Sequence, residues 1–237
     1  MRCLILHIAL FCCLLSMCSC EFESDDMFYD ATAKKYKVYD YYEDEYGNKG
    51  VVVLVASRSS ELAYMVVISL DESYEAWGPM NLGVYSTDSV SRNLLKGPRF
   101  GLFILRNMKA MGIDRFPAQA WCDQKNYKEE IPHTGSWRLP TSYEFKLIFG
   151  NHGERLATVN AAIGRAGGTR LDKNKYYWTC IEDYTGYISF PGQTVDYDYK
   201  NRAFMTSPNG YTYTNKDLWL KKNANYVRAI KYIYYKD

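Results

Sequence analysis

Hydrophobic and polar positions divide the chain into a strand-rich start, a helical middle and a strand-rich end. Residues 51–57 (VVVLVAS) and 62–70 (LAYMVVISL) are short, β-branched runs bounded by polar residues. They predict two strands paired through the SRSSE connection. Residues 98–112 (PRFGLFILRNMKAMG) predict a helix. Pro98 stands in its first turn, Phe103, Met108 and Met111 are among the apolar positions facing the core, and Gly112 is the stop. A second, shorter core-facing helix is predicted from Pro117, in PAQAWCDQK.

Residues 135–150 (GSWRLPTSYEFKLIFG) carry the clearest local signal. Thr141 and Glu144 have the spacing of a capping box, in which hydroxyl and carboxylate satisfy amides that a helix start leaves free. Phe145, Ile148 and Phe149 then recur at helical spacing. Trp137 and Leu139, on alternate positions before Pro140, point the same way from an extended segment. Residues 153–168 predict another helix, with Leu156, Val159 and Ile163 on one face and two glycines at its end. Strand patterns return at residues 175–180 (KYYWTC), 186–190 (GYISF) and 225–235 (NYVRAIKYIYY). The order implies an α+β domain built on an antiparallel sheet, with central helices and with first and last strands paired.

The first residues read as an address. Arg2 precedes an apolar core from Leu4 to Leu15, which has the length of a signal-peptide core and is too short for the roughly 20 residues of a membrane span. Cys18 and Cys20 follow, as in a bacterial lipoprotein signal. Cys20 is the favoured lipidation site and Cys18 the alternative; a plain cleaved signal with incidental cysteines is the other outcome. The acidic run EFESDD (Glu21 to Asp26) is similar to the patch after the lipidated cysteine of surface-exported lipoproteins, which predicts an outward-facing outer-membrane protein held by its N-terminal lipid. The expected organisation is a signal over residues 1–19, an acidic tether over 20–35 and one domain over 36–237, since no repeat, low-complexity run or linker interrupts the body.

Composition changes this picture in two respects. The chain has 29 Lys+Arg against 27 Asp+Glu, and its basic runs are as short as Lys34-Lys35 and Lys221-Lys222, so nucleic acid is not an expected partner. The 23 Tyr are the one compositional excess. Their ordinary role is packing on half-buried strands, and the sharper one is a stacking surface for a sugar or a protein partner. Five of the seven cysteines belong to the export segment, leaving Cys122 and Cys180 either as one disulfide or as buried thiols.

Several pieces, AWGPM (76–80), FPAQAWCDQ (116–124), WRLPTSYEF (137–145), VNAAIGRAGGT (159–169), YYWTC (176–180) and YVRAI (226–230), occur in the order seen in the Lcl C-terminal-like family, a domain of unknown function. The chain resembles that family over residues 51–233. The resemblance implies a C-type-lectin-like fold, with Trp137, Arg138, Leu139, Pro140, Thr141 and Glu144 as a structural motif shared with formylglycine-generating, sulfatase-modifying enzymes. Family members are commonly exported or cell-surface proteins, some suspected in adhesion. Thr179-Cys180 departs from the paired serines usual there, and a shared fold transfers no activity.

Candidate chemistry is sparse. His133 and His152 have no His or Cys at ligand spacing, so no metal site and no cofactor are expected, and both read as turn or surface residues. Cys122 and Cys180 do not reproduce the enzyme's cysteine spacing, and AGGTR (166–170) reads as a helix cap rather than an anion cradle. The loops of calcium-dependent lectins are absent; Asp196 and Asp198 offer oxygen ligands to a hard cation or form a solvated strand face. The chain is therefore expected to be a non-catalytic surface protein binding a glycan or a surface protein through residues 184–213, with Tyr184, Asp196, Tyr197, Asp198, Tyr199, Tyr211 and Tyr213 as contact residues. The alternatives are a structural component of a surface assembly, such as a fimbrial tip or outer-membrane complex, and a sulfatase-modifying-type enzyme using Cys122 or Cys180.

Overall fold

The computed structural model describes residues 36–57, 62–84, 98–127, 132–133, 135–182, 200–209 and 220–236. The export segment, the tether and the expected strand at residues 186–190 lie outside the described residues. In chain order the strands are β1 (Tyr41–Glu43), β2 (Lys49–Ser57), β3 (Leu62–Ser69), β4 (Ser73–Ala76), β5 (Tyr177–Glu182), β6 (Ala203–Thr206), β7 (Ala224–Val227) and β8 (Ile230–Lys236). Among the described residues four α-helices run between β4 and β5, α1 (Pro98–Ala110), α2 (Pro117–Asp123), α3 (Ser142–Phe149) and α4 (Leu156–Arg165). The fold is α+β, as the pattern of periods implied.

Two sheets stand where one was expected. The first has the order β1-β2-β3-β8 and the second β4-β7-β5-β6. Antiparallel pairing of β2 with β3 follows the prediction, from Gly50 opposite Ser69 to Ser57 opposite Ala63. The last strand does not pair with the first: β8 lies along β3, with Ile68 opposite Ile230 and Leu62 opposite Lys236. The β2–β3 hairpin leaves the far edge of β3 open, and β8 takes it.

Residues 225–235 do not form one strand. Pairing of Tyr226 with Tyr74 puts β7 in the second sheet, whereas β8 belongs to the first, and the chain crosses between them at Arg228-Ala229. Arg228 is fully buried at this crossing. Its Nη1 donates to the carbonyls of Ser69 (3.0 Å) and Leu70 (2.9 Å), and its Nη2 to Thr169 (2.7 Å) and to Glu72 (3.0 Å). These four bonds let the charge sit in the interior, with only the Nε left without a partner among the described residues.

The first sheet is apolar on both faces. Val52, Met65, Val67 and Ile233 pack into one core with Trp77, Trp137, Trp178, Phe100, Ile104 and Met108. Val51, Val53, Val66, Ile68 and Tyr232 pack into another with Phe145, Phe149, Val159 and Ile163 of α3 and α4. In α1 the buried row is Phe100, Ile104 and Met108, and Phe103, expected in the core, is 40% exposed. At 100° per residue Phe103 falls on the arc of Ala110, which is exposed as well. α4 ends at Gly167 (φ 78), with Gly168 N–H bonded to Ile163 O and Gly167 N–H to Gly164 O, a Schellman cap. AGGTR is thus a helix cap, as its glycines predicted.

Candidate functional site

The Trp-Arg-Leu-Pro-Thr element is a structural junction tied by hydrogen bonds to several other parts of the fold. Arg138 is extended and bridges Ile230 by two backbone bonds of 3.0 Å, continuing the first sheet beyond β8. The N–H of Trp137 donates to Asn126 (2.5 Å), its indole to Asp44 (3.0 Å), and the N–H of Leu139 to Gln119 (3.1 Å). Trp137 and Leu139 are both fully buried. The capping box is complete: the Thr141 hydroxyl accepts from Glu144 N–H at 3.1 Å, and Glu144 accepts from Thr141 N–H at 2.7 Å.

Sequence alone did not show that the same carboxylate binds Arg138 with both oxygens, at 2.9 and 2.6 Å, with both side chains buried. Fork-to-fork geometry makes this one of the stronger ion-pair types. Gly101 of α1 is required beside it, since a Cβ there would stand 2.3 Å from the Arg138 Nη1. The intervening Tyr232 ring stacks near the guanidinium (5.5 Å), and burial pushes its phenol far up.

Cys122 and Cys180 are free thiols, so the disulfide alternative does not hold. Both are fully buried, Cys122 on α2 and Cys180 on β5, and burial pushes both thiols far above their ordinary range. A thiol held protonated is a poor nucleophile. His133 is a turn residue whose Nδ1 accepts from Gly135 N–H at 3.0 Å. Among the described residues no group of three His, Cys, Asp or Glu is placed to hold a metal, and no helix is long and apolar enough to cross a membrane.

Tyr184, Asp196, Tyr197, Asp198, Tyr199, Tyr211 and Tyr213, like Cys18 and Cys20, lie outside the described residues. Residues 200–209 of the 184–213 segment are described and include β6, and residues beyond its two ends hold a feature the sequence reading missed. Glu182, the last residue of β5, and Lys221 are both 0% exposed and form an ion pair. Both Glu182 oxygens accept from Val84 N–H at 3.0 Å, the Lys221 Nζ donates to Leu82 O (2.7 Å), and it stands 4.6 Å from the Trp77 ring centroid. The Lys221 carbonyl accepts from Trp77 and Gly78, and its N–H donates to Asn201 O at 2.8 Å. Lys221-Lys222 is therefore not a basic patch, since its first member is interior. The available signal was a lysine directly after the apolar run LWL, which is weak by itself.

Two adjoining hollows open on the surface elsewhere. One, of about 390 Å³, lies among the β1–β2 turn (Asn48, Lys49), the β3–β4 link (Asp71), Lys125 and the end of α4 (Gly167, Thr169). The other, of about 430 Å³, is lined by Tyr39, Tyr41, Lys49, Ala162, Arg165 and Ala166. They share Lys49 and Ala166 and so lie side by side as a groove of two hollows. Sequence reading gave Tyr39 and Tyr41 no role beyond the general excess of tyrosine.

No family model matches the chain, and no curated protein does. Among solved structures, a fimbrial protein from Bacteroides ovatus ATCC 8483 shares 13% identity at a TM-score of 0.49. The alignment covers 70% of this chain and 35% of that one, so this chain spans about a third of its length. So slight a likeness carries neither fold nor function across.

Proposed function

We propose that this is an exported, lipid-anchored envelope protein with a non-catalytic binding domain, facing outward from the outer membrane. Its Trp-Arg-Leu-Pro-Thr element belongs to a C-type-lectin-like domain of the Lcl C-terminal-like family, and its contact surface, for a glycan or a surface protein, is carried by the tyrosines and aspartates of residues 184–213 on either side of the buried strand β6. The observation that carries the reading is how the chain's reactive groups are used. Glu144, Arg138, Glu182, Lys221 and Arg228 are committed to interior ion pairs and caps, and Cys122 and Cys180 are held as protonated thiols. Among the described residues these buried groups are spent on rigidity, with Glu182 before and Lys221 beyond the tyrosine-rich segment joined as one ion pair.

The test pairs location with binding. Radiolabelled palmitate should enter the wild-type chain and be lost in Cys20→Ala, and protease added to intact cells should remove the body; complete protection would sink the outward-facing part. A folded variant with Tyr197, Tyr199, Tyr211 and Tyr213 replaced by Ala should lose capture of the partner that the wild type retains. Unchanged capture would refute the contact surface. A partner that co-purifies in fixed stoichiometry would favour the structural-component role.

A further inference from the structure

We infer that the groove between β1 and the end of α4 is a binding site for a neutral saccharide, made of residues distinct from segment 184–213 and independent of it. A pyranose presents an apolar C–H face and a rim of hydroxyl groups. It is recognised by an aromatic ring, whose negative face attracts the polarised C–H bonds, together with a few groups able both to donate and to accept. The groove supplies both.

Tyr41 is 44% exposed, and its hydroxyl is tied to Glu43 at 2.5 Å, which fixes the ring. Tyr39 lines the same hollow and has a φ of 77, a left-handed conformation unusual for a bulky residue. It is held there by its N–H bond to Val52 O (2.7 Å) and by the bond from Val52 N–H to Asp40 O (3.0 Å). Strain maintained in a lining residue is a recurrent mark of a preorganised site.

The polar groups lie in the adjoining hollow. Asp71 gives one carboxylate oxygen to Lys125 at 2.5 Å. Its other oxygen, the Thr169 hydroxyl and the Lys49 ammonium have no hydrogen-bond partner among the described residues, so acceptor, bifunctional and donor groups line one space. Each hollow, at about 390 and 430 Å³, falls within the size of small-ligand sites, about 300–1,000 Å³.

Two other ligand classes fit less well. An extended peptide needs main-chain donors, but the N–H groups of Gly47, Asn48, Gly167, Gly168 and Thr169 are all used internally. An anion would find Arg165 in the lining, but the other cations there are offset, Lys125 by its pair with Asp71 and Lys49 by Glu43 opposite it in the β1–β2 register, so the field is weak.

The test is titration calorimetry of the chain from Glu21 onward with short neutral gluco-, galacto- and manno-oligosaccharides and, as controls, uronic-acid and sulfated ones. Wild type should bind at least one neutral series. Tyr41→Ala should weaken it by about 3- to 10-fold, and Asp71→Asn by about 10-fold. Tyr41→Phe, which keeps the ring, should stay within about 3-fold of wild type. Melting temperatures close to wild type would show that these surface variants fold. The site is overturned if no neutral series binds, if binding ignores both Tyr41→Ala and Asp71→Asn, or if only charged controls bind and salt abolishes it. Capture of a partner through segment 184–213 would survive each of those failures, so the binding role and this site fall separately.

Discussion

The two sheets reach stability by different means. Three strands of the first sheet, β1, β2 and β3, are consecutive in the chain and pair as neighbours, and its faces are lined by valine, isoleucine and tyrosine. The second sheet assembles β4, β7, β5 and β6 from distant parts of the chain. It contains a parallel β5–β7 contact and an irregular register between Trp178 and Glu182. Around it the chain relies on buried charge: Glu182 with Lys221 at the end of β5, and Arg228 where β7 leaves for the first sheet. Apolar burial on both faces carries most of the first, with Arg138 and Glu144 as a buried ion pair where Arg138 extends it beyond β8. The second needs specific polar contacts, because its loop ends bring backbone groups inside that only charged side chains reach.

The comparison breaks most sharply at Glu182. Glu182→Ala leaves Lys221 buried without its carboxylate and should cost about 3–5 kcal/mol in denaturant unfolding. The double variant Glu182→Leu/Lys221→Met should recover much of that loss, and equal instability of both would show that the pair is not the cause. In the first sheet, Val66→Ala should cost about 2–3 kcal/mol, a cavity effect without a charge component. At the junction, Glu144→Gln weakens both the Arg138 fork and the cap, for about 1.5–3 kcal/mol. Thr141→Ala removes only the cap, for about 1 kcal/mol. If the two cost the same, the Arg138 bond contributes nothing net.

Two chemical measurements sharpen the contrast at smaller amplitude. Cys122 and Cys180 should resist a thiol-specific reagent at neutral pH and both react on denaturation; a mass lower by one disulfide would contradict the free thiols. At the edge of the first sheet, the hydrogen bond to Glu43 pushes the Tyr41 phenol up to about 12. Unfolded, it ionises near 10, so between pH 10 and 12 the unfolded chain binds fewer protons and stability falls as pH rises. Ultraviolet titration should show this late phenol, and Glu43→Gln should return it toward 10.

Much of the framework was legible because its signals are local. The Thr141–Glu144 spacing, the Gly167-Gly168 stop and the β-branched runs of β2 and β3 each need only a few neighbouring residues to act, and each appears as read. Phe103 failed because an apolar count does not fix which arc faces inward where the six consecutive residues 100–105 (FGLFIL) carry no polar side chain. The groove was illegible in principle: its lining comes from the β1–β2 turn, the β3–β4 link, Lys125 and the end of α4.

The sequence by itself determined the period of each element, the caps, the α+β order and the burial of Trp137, Leu139 and Phe145. Only the tertiary structure decided that residues 225–235 divide between two sheets, that Glu144 serves both a cap and Arg138, that Lys221 is interior, and that Cys122 and Cys180 stay unbridged. The physical reason is range. Propensity and hydrogen bonding to near neighbours act over a few residues, whereas the partner of a buried charge, the crossing of a strand and the spacing of two thiols depend on contacts between segments far apart in the chain.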